Sequence, residues 1–153
     1  CTVRHGGKLS SFFPYDIGVR QGCILSPIIF NLFINELHDI IHKNVGDLSG
    51  IKVADLVIFV LLYADDVVLV ADSPDDLSIL LRSLEEFCAS SSMSVNVKKT
   101  KVVIFFQSSR AVLPPPLFVF DHKPLEVVRE YKYLGCFFDE NLSFSYHVDV
   151  AIS

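Results

Sequence analysis

The stretch VLLYADDVVLVA, residues 60–71, places two adjacent aspartates, Asp65 and Asp66, inside an otherwise apolar run. Its density of Val and Leu is typical of β-strands. An ionised carboxylate in apolar surroundings is costly unless it is paired or binds a cation, and two neighbouring carboxylates also repel each other. We therefore interpret residues 51–71 as two strands that are interrupted at Ala64, Asp65 and Asp66, with the carboxylates at a tight turn.

A tight turn between two strands carries its side chains into solvent on a rigid base, and this suggests a cation site. Carboxylate oxygens suit Mg²⁺, which takes one or two carboxylates together with substrate phosphates. Because successive strand residues point to opposite faces, at most one of Asp65 and Asp66 faces a metal squarely. The other interpretation is a polar turn without further function, since Asp is common in turns. The pair alone leaves both open.

Composition indicates one well-buried domain. The chain has 153 residues, of which 51% are hydrophobic and 20% charged, so disorder is excluded. The longest apolar run, residues 56–64, is too short to span a bilayer, and no membrane partner is expected. The net charge of -5 argues mildly against a nucleic-acid partner. The four cysteines form no C-x-x-C pair, which predicts buried or idle thiols in a reducing compartment.

Two helices are predicted. Ser26 and Pro27 form a helix start, with Ser26 as the N-cap, and the helix should run to about His42. Helical spacing predicts that it buries Phe30, Phe33, Ile34, Leu37 and Ile41. Ser73-Pro74-Asp75-Asp76 repeats this chemistry with carboxylates in the first turn. The amphipathic residues that follow are Leu77, Leu80, Leu81, Leu84, Phe87 and Cys88.

Strands are predicted elsewhere. Residues 1–13 read as a hairpin that turns at Gly6-Gly7. VNVKKTKVVIFF, residues 95–106, becomes a strand after its basic turn, and the VLPPP stretch is a stiff linker. Residues 117–128 form a hairpin turning at Asp121 to Pro124, and YKYLGCFF, residues 131–138, is a final strand. This order of elements predicts an α+β fold with a sheet that carries its helices on one face.

Several motifs along the chain occur in an order that is specific when taken together. They are GVRQGCILSPIIFNLFINEL at 18–37, YADD at 63–66, VNVKKTKVVIF at 95–105, YKYLG at 131–135 and LSFSYH at 142–147. Together they resemble the reverse transcriptase family, and specifically the polymerases of non-long-terminal-repeat (LINE-like) retrotransposons. The resemblance implies the antiparallel sheet of a polymerase palm with helices packed on one face. It also implies that the palm is incomplete: residues 1–153 match its C-terminal part, without the fingers and the first catalytic strand, and the thumb connection starts near 140–153.

The resemblance assigns roles to residues of this chain. Asp65 and Asp66 are implied to be catalytic metal ligands for two Mg²⁺ ions, with Mn²⁺ as the alternative cation. The implied nucleotide- and template-binding residues are Arg20, Gln21, Gly22, Ser26 and Lys99, with Asn96 and Thr100 in the same pattern as Lys99. The implied primer-contacting residues are Tyr63, Tyr131, Lys132, Tyr133, Leu134 and Gly135.

The implied function is RNA-directed DNA synthesis, in which deoxynucleotides are added to a primer 3′-hydroxyl on an RNA template. The implied partners are an RNA template, a DNA primer, deoxynucleoside triphosphates and a missing N-terminal part of the polymerase, in the nucleus or cytoplasm. The family also needs an aspartate on an earlier strand, and Asp16, which lies too close to the GVRQG loop, is not counted as that residue. This chain alone is therefore expected to be inactive. Two alternatives stay open: a non-catalytic relic that acts as a binding or interaction domain, and a group II intron-type or retron reverse transcriptase.

Overall fold

The computed structural model describes residues 1–14, 18–46, 50–106 and 117–143. Its two helices are α1, Ser26–Val45, and α2, Pro74–Ser91. The strands of these ranges are short: β1 Arg4–His5, β2 Lys8–Leu9, β3 Ile51–Val53, β4 Leu56–Ile58, β5 Val60–Tyr63, β6 Asp66–Leu69, β7 Lys101–Val103, β8 Val119–Phe120, β9 Lys123–Pro124, β10 Glu126–Val128, β11 Glu130–Tyr133 and β12 Cys136–Asp139. The fold is mixed α+β, as the order of elements predicts.

The strands of the described ranges pair in twos. Antiparallel hairpins join β1 to β2, β3 to β4, β5 to β6, β8 to β9 and β11 to β12, whereas β7 and β10 are parallel. Single backbone hydrogen bonds extend these pairs: Phe106 N–H donates to the Glu140 carbonyl at 3.0 Å, and Glu140 N–H to the Arg129 carbonyl at 2.8 Å. The predicted antiparallel sheet is therefore seen as a set of small sheets, one of them parallel.

The core lies where the two helices meet. Leu37 and Ile41 of α1 and Leu80 and Phe87 of α2 are almost completely buried, and the Phe33 and Phe87 rings lie 5.8 Å apart at 56°. The remaining buried hydrophobic side chains are Ile34, Val45, Leu81, Leu84, Val102, Phe118, Phe120 and Leu125. The helical spacing in the sequence thus identifies most of the helical core correctly.

A polar connection lies at the end of the helix pair. The Asn44 side-chain amide donates to the Ser83 hydroxyl at 3.1 Å and to the Glu86 carboxylate at 2.9 Å. Ser83 is fully buried, and its hydroxyl donates to the Ile79 carbonyl. The Asn44 hydrogen bond, with a smaller contribution from the Lys43 ammonium, holds the pKa of Glu86 below its usual value. These contacts fix how α1 and α2 are aligned without leaving a buried polar atom unsatisfied.

The start of α2 confirms the predicted cap, but the start of α1 does not. The Ser73 hydroxyl accepts from Asp76 N–H at 3.1 Å, and Pro74 begins the helix. In α1 the capping position is Leu25, without a side-chain cap, and Ser26 is already helical. The Ser26 hydroxyl donates instead to the Arg20 carbonyl at 2.7 Å, so the predicted N-cap role of Ser26 is wrong. The helix also ends three residues later than predicted, at Val45.

Other differences concern burial and strand number. Phe33 is 37% exposed and Phe30 only half-buried, although the spacing predicts both as core. Residues 51–71 hold four strands rather than two, since Ala54-Asp55 makes an additional turn. YKYLGCFF is a hairpin and not one strand, because the chain reverses at Leu134-Gly135. The hairpins at Gly6-Gly7 and at Asp121-His122 are confirmed. The VLPPP linker and the tail after residue 143 lie outside the described residues.

Neither helix of the described ranges is both long and apolar enough to cross a membrane.

Two leucines of α1 test the helix packing. Leu37→Ala should lower the free energy of unfolding by about 2–5 kcal/mol, because it leaves a cavity between α1 and α2. Leu32→Ala is the matched control: Leu32 is 75% exposed, and its truncation should change stability by less than about 0.5 kcal/mol. Urea denaturation followed by circular dichroism measures both. Equal effects of the two substitutions would contradict the packing.

Candidate catalytic site

The two aspartates of YADD lie at the tip of the β5–β6 hairpin. Tyr63 pairs with Asp66 across the ladder, so Ala64 and Asp65 form a two-residue turn. Ala64 has a φ of 51°, a conformation uncommon for residues other than glycine. Both Asp65 and Asp66 are exposed, which removes the cost of burying two adjacent carboxylates. The tight turn predicted at this place is confirmed.

The two faces of the hairpin have different roles. Val60, Leu62, Val67 and Leu69 are half-buried and pack against the core. Tyr63 and Asp66 are directly opposite each other and exposed, with 62% of Tyr63 accessible. Directly opposite residues of an antiparallel pair lie on the same face with Cβ atoms about 5 Å apart. The apolar face thus anchors the hairpin, and the other face holds a tyrosine beside a carboxylate.

The YKYLG hairpin carries further tyrosines. Burial, and then the charge of the Asp66 carboxylate, raise the pKa of the Tyr133 phenol above its ordinary value. Tyr131 lies on the same face of β11 as Tyr133, and it is 40% exposed. Lys132 points to the other face, where its ammonium lies 5.0 Å from the centre of the Phe137 ring. At the turn, Leu134 and Gly135 both have positive φ, which matches the twist of a tight hairpin.

The GVRQG loop is held to the start of α1. The Arg20 carbonyl accepts from the Ser26 hydroxyl and, at 3.2 Å, from Cys23 N–H. Gly22 has a φ of 82°, which a side chain would strain. An open cavity of about 670 Å³ lies beside the loop and is lined by Cys1, Thr2, Val19, Arg20 and Gln21. The loop therefore exposes an arginine and a glutamine next to a recess.

Cys23 was not singled out from the sequence. It is exposed, and a backbone hydrogen bond from Leu25 is the largest of the causes that lower the pKa of its thiol. The lowered pKa depends on how the loop folds against the start of α1, so no pattern of residues in the sequence predicts it.

The turn before β7 carries Lys99. The Asn96 carbonyl accepts from Lys99 N–H at 2.9 Å, and it also accepts from the Thr100 N–H and hydroxyl. The Asn96 side-chain oxygen accepts a second bond from Lys99 N–H at 3.3 Å. Asn96 and Thr100 therefore shape the turn, while the Lys99 side chain is exposed.

The structure joins some of the predicted residues and leaves others apart. Tyr63 and Asp66 lie opposite each other, and the charge of Asp66 contributes to the raised pKa of Tyr133. Among the described hydrogen bonds and ion pairs none links Lys99 or residues 18–22 to the aspartates. Asp65 and Asp66 form no ion pair within the described ranges. In the same ranges no group of three or more His, Cys, Asp or Glu side chains could hold a metal, and Asp16 lies outside them.

The donor set at the hairpin tip fits Mg²⁺ in part. Two unpaired, exposed carboxylates are the number that Mg²⁺ takes from protein when substrate phosphates and water supply the other ligands. They do not make an all-protein cage. A divalent cation held there would need further ligands, such as phosphate oxygens and water.

These features define an α+β protein that carries two aspartates at the tip of one hairpin and tyrosines on another. Residues 2–138 match the family described as reverse transcriptase (RNA-dependent DNA polymerase), and the chain belongs to this family.

The names of three relatives specify a type of mobile element. The RNA-directed DNA polymerase from mobile element jockey of Drosophila funebris is 26% identical over 96% of this chain. The Pol polyprotein from type-1 retrotransposable element R2 of Popillia japonica is 32% identical over 79% of the chain. The probable RNA-directed DNA polymerase from transposon X-element of Drosophila melanogaster is 26% identical over 96%. The chain spans 16%, 17% and 15% of these relatives, in that order. It is thus a LINE-like reverse transcriptase sequence that covers a small part of each.

The proximity of Asp66 and Tyr133 can be tested by titration. Asp66→Asn should lower the pKa of Tyr133, because a neighbouring negative charge disfavours the phenolate. The pKa should stay above its ordinary value, since burial, the larger cause, remains. The ¹³Cζ resonance of Tyr133, assigned with Tyr133→Phe, measures the change.

Asp65→Asn is the matched control for this titration, since the charge of Asp65 is not among the causes of the shift. An unchanged Tyr133 titration in Asp66→Asn, or an equal change in both variants, would contradict the described approach of the two hairpins.

Proposed function

We propose that this chain is the C-terminal part of the palm of an RNA-directed DNA polymerase from a non-long-terminal-repeat retrotransposon. In that enzyme it takes part in adding deoxynucleotides to a primer 3′-hydroxyl on an RNA template. The observation that carries the proposal is the family match over residues 2–138, within which Asp65 and Asp66 stand exposed at the tip of the β5–β6 hairpin, without an ion pair to any residue that the structure describes.

The carboxylates of Asp65 and Asp66 are the proposed ligands of Mg²⁺, with Mn²⁺ as the alternative. When bound, two such ions would neutralise negative charge on the triphosphate and activate the primer 3′-hydroxyl for attack. The hairpin positions the two carboxylates. Because its apolar face packs against the core, the carboxylates are proposed to bind without a rearrangement of the strands. A third carboxylate, from an earlier strand of the longer polymerase, is part of the proposal.

The neighbouring residues divide between the proposed substrates. Tyr63, which lies opposite Asp66, and Tyr133 are proposed to contact the primer end. The rest of the YKYLG hairpin is proposed to hold the primer backbone, through Tyr131, Lys132, Leu134 and Gly135. Lys99 and the loop residues Arg20, Gln21 and Gly22 are proposed to contact the incoming nucleotide and template, where their charge and backbone N–H groups suit phosphates. Ser26 is proposed to act through the loop, since its hydroxyl is bonded to the Arg20 carbonyl.

A second candidate function is that of an interaction module without catalysis. The start of α1 supports it, because Ile24, Leu25, Ile28, Ile29 and Leu32 are each more than half exposed and recur at helical spacing. In a longer polymerase the same face would pack against other segments, so its exposure is compatible with both functions. The names of the relatives favour a retrotransposon polymerase over a group II intron-type or retron enzyme.

Cation binding tests the aspartates directly. Mn²⁺ added to the chain should bind weakly at the hairpin, and Asp65→Asn and Asp66→Asn should each weaken binding several-fold, because each removes a charged ligand. Asp55→Asn is the matched control: Asp55 is exposed at the corresponding position of the Ala54-Asp55 turn and should not matter. Free Mn²⁺, counted by electron paramagnetic resonance, gives the affinities. Equal losses in all three variants would refute a specific site.

Primer extension tests the need for the remainder of the palm. The 153-residue chain with an RNA template, a DNA primer, nucleotides and Mg²⁺ should give no extension, since only two of the proposed metal carboxylates are present. A longer polymerase that includes this segment should extend the primer, and Asp65→Asn in it should reduce the rate at least about 100-fold. Extension by the isolated chain that Asp65→Asn abolishes would overturn the expectation of inactivity.

A further inference from the structure

A pair of histidines on α1 forms a cluster that the polymerase proposal does not use. His38 and His42 are four residues apart, so they lie on one face of the helix. Their ring centres are 4.2 Å apart at 54°, and both side chains are exposed. Two metal–nitrogen bonds of about 2.1 Å need ligating nitrogens roughly 3–3.5 Å apart, a separation compatible with ring centres 4.2 Å apart. We propose that His38 and His42 chelate a first-row transition cation such as Zn²⁺, Ni²⁺ or Cu²⁺.

Other groups lie beside the two rings without occupying their metal-binding edges. The Nδ1 of His38 lies 3.6 Å from the Asp39 carboxylate, beyond hydrogen-bond distance. The His42 ring meets the edge of the Phe59 ring, with the ring centres 6.4 Å apart at 83°. Each imidazole therefore keeps a nitrogen for a cation.

The space beside the rings leaves room for other ligands. An open cavity of about 180 Å³ lies between α1 and the β4–β5 segment and is lined by His38, Ile41, His42 and residues 56–61. Apart from the two imidazoles its lining is apolar. Because the described residues hold no group of three metal-ligating side chains, water would complete the coordination. Such a site has open positions, as sites that exchange ligands do.

The chemistry of the ligands selects the cation. Imidazole suits Zn²⁺, Ni²⁺ and Cu²⁺, whereas Mg²⁺ takes oxygen ligands. The histidine pair and the Asp65–Asp66 hairpin should therefore bind different ions. This separates the inference from the polymerase proposal, because either site can fail without affecting the other.

The experiment is a calorimetric titration of the chain, prepared without a histidine tag, with NiCl₂ and separately with MgCl₂. The parent protein should bind one equivalent of Ni²⁺ in the NiCl₂ titration. The corresponding binding should be absent in the MgCl₂ titration. His38→Ala and His42→Ala should each weaken this binding at least about tenfold, because a chelate of two linked ligands is reduced to one. His122→Ala is the matched control, since His122 is exposed at the β8–β9 turn, away from the pair along the chain, and should bind like the parent.

Further variants exclude trivial explanations. The double substitution of His38 and His42 should be no worse than either single one, as expected for ligands that act together. His42→Gln keeps a polar helical side chain and should also lose the site, while circular dichroism checks that α1 is intact. The cysteines are the same in all variants, so their metal binding cancels. Parent-like Ni²⁺ binding by His38→Ala or His42→Ala, or an equal loss in His122→Ala, would overturn the proposal.

Discussion

The contact between α1 and α2 is the interaction on which the rest of the structure depends. Leu37 and Ile41 of one helix and Leu80 and Phe87 of the other lose nearly all contact with water, and burial of such side chains contributes about 1.5–3 kcal/mol each. The hairpins of the described ranges are too short to be stable alone, since an isolated two-stranded hairpin is marginal in water. The β5–β6 hairpin gains stability by packing Val60, Leu62, Val67 and Leu69 against the core to which this helix pair contributes.

The packing of the β5–β6 hairpin explains why two charges can stand in an apolar stretch. Along β5 and β6, residues that face the core alternate with residues that face outward. Tyr63 and Asp66 are therefore exposed, whereas their neighbours Leu62 and Val67 are half-buried. The turn adds strain, because Ala64 is held at a positive φ that an alanine rarely adopts. Anchored strands and a strained turn hold Asp65 and Asp66 in one place. That is what a site based on positioning rather than covalent chemistry needs.

The sequence predicted elements best where several local signals agree. In α2 a Ser cap, Pro74, two acidic residues and an apolar periodicity coincide, and the helix is found with that cap. In α1 the Ser-Pro pair suggested the same, yet the hydroxyl of Ser26 is taken by the Arg20 carbonyl, a contact six residues back along the chain. The additional turn at Ala54-Asp55 was missed for a related reason. Its one turn-favouring residue, Asp55, stands alone between apolar segments without a Gly, Asn or Pro, and Ala54 adopts a positive φ that the sequence does not indicate.

The sequence by itself determined the family, the α+β class, both helices, the helical part of the core and the turn that carries Asp65 and Asp66. These follow from periodicity, turn chemistry and motif order, which are properties of neighbouring residues. The tertiary structure alone decided the parallel pairing of β7 with β10, the hydrogen bonds of Asn44 to Ser83 and Glu86, and the ring contact between His42 and Phe59. Such contacts join residues far apart in the chain. They depend on how the helix pair orders the hairpins around it, and no local pattern encodes that arrangement.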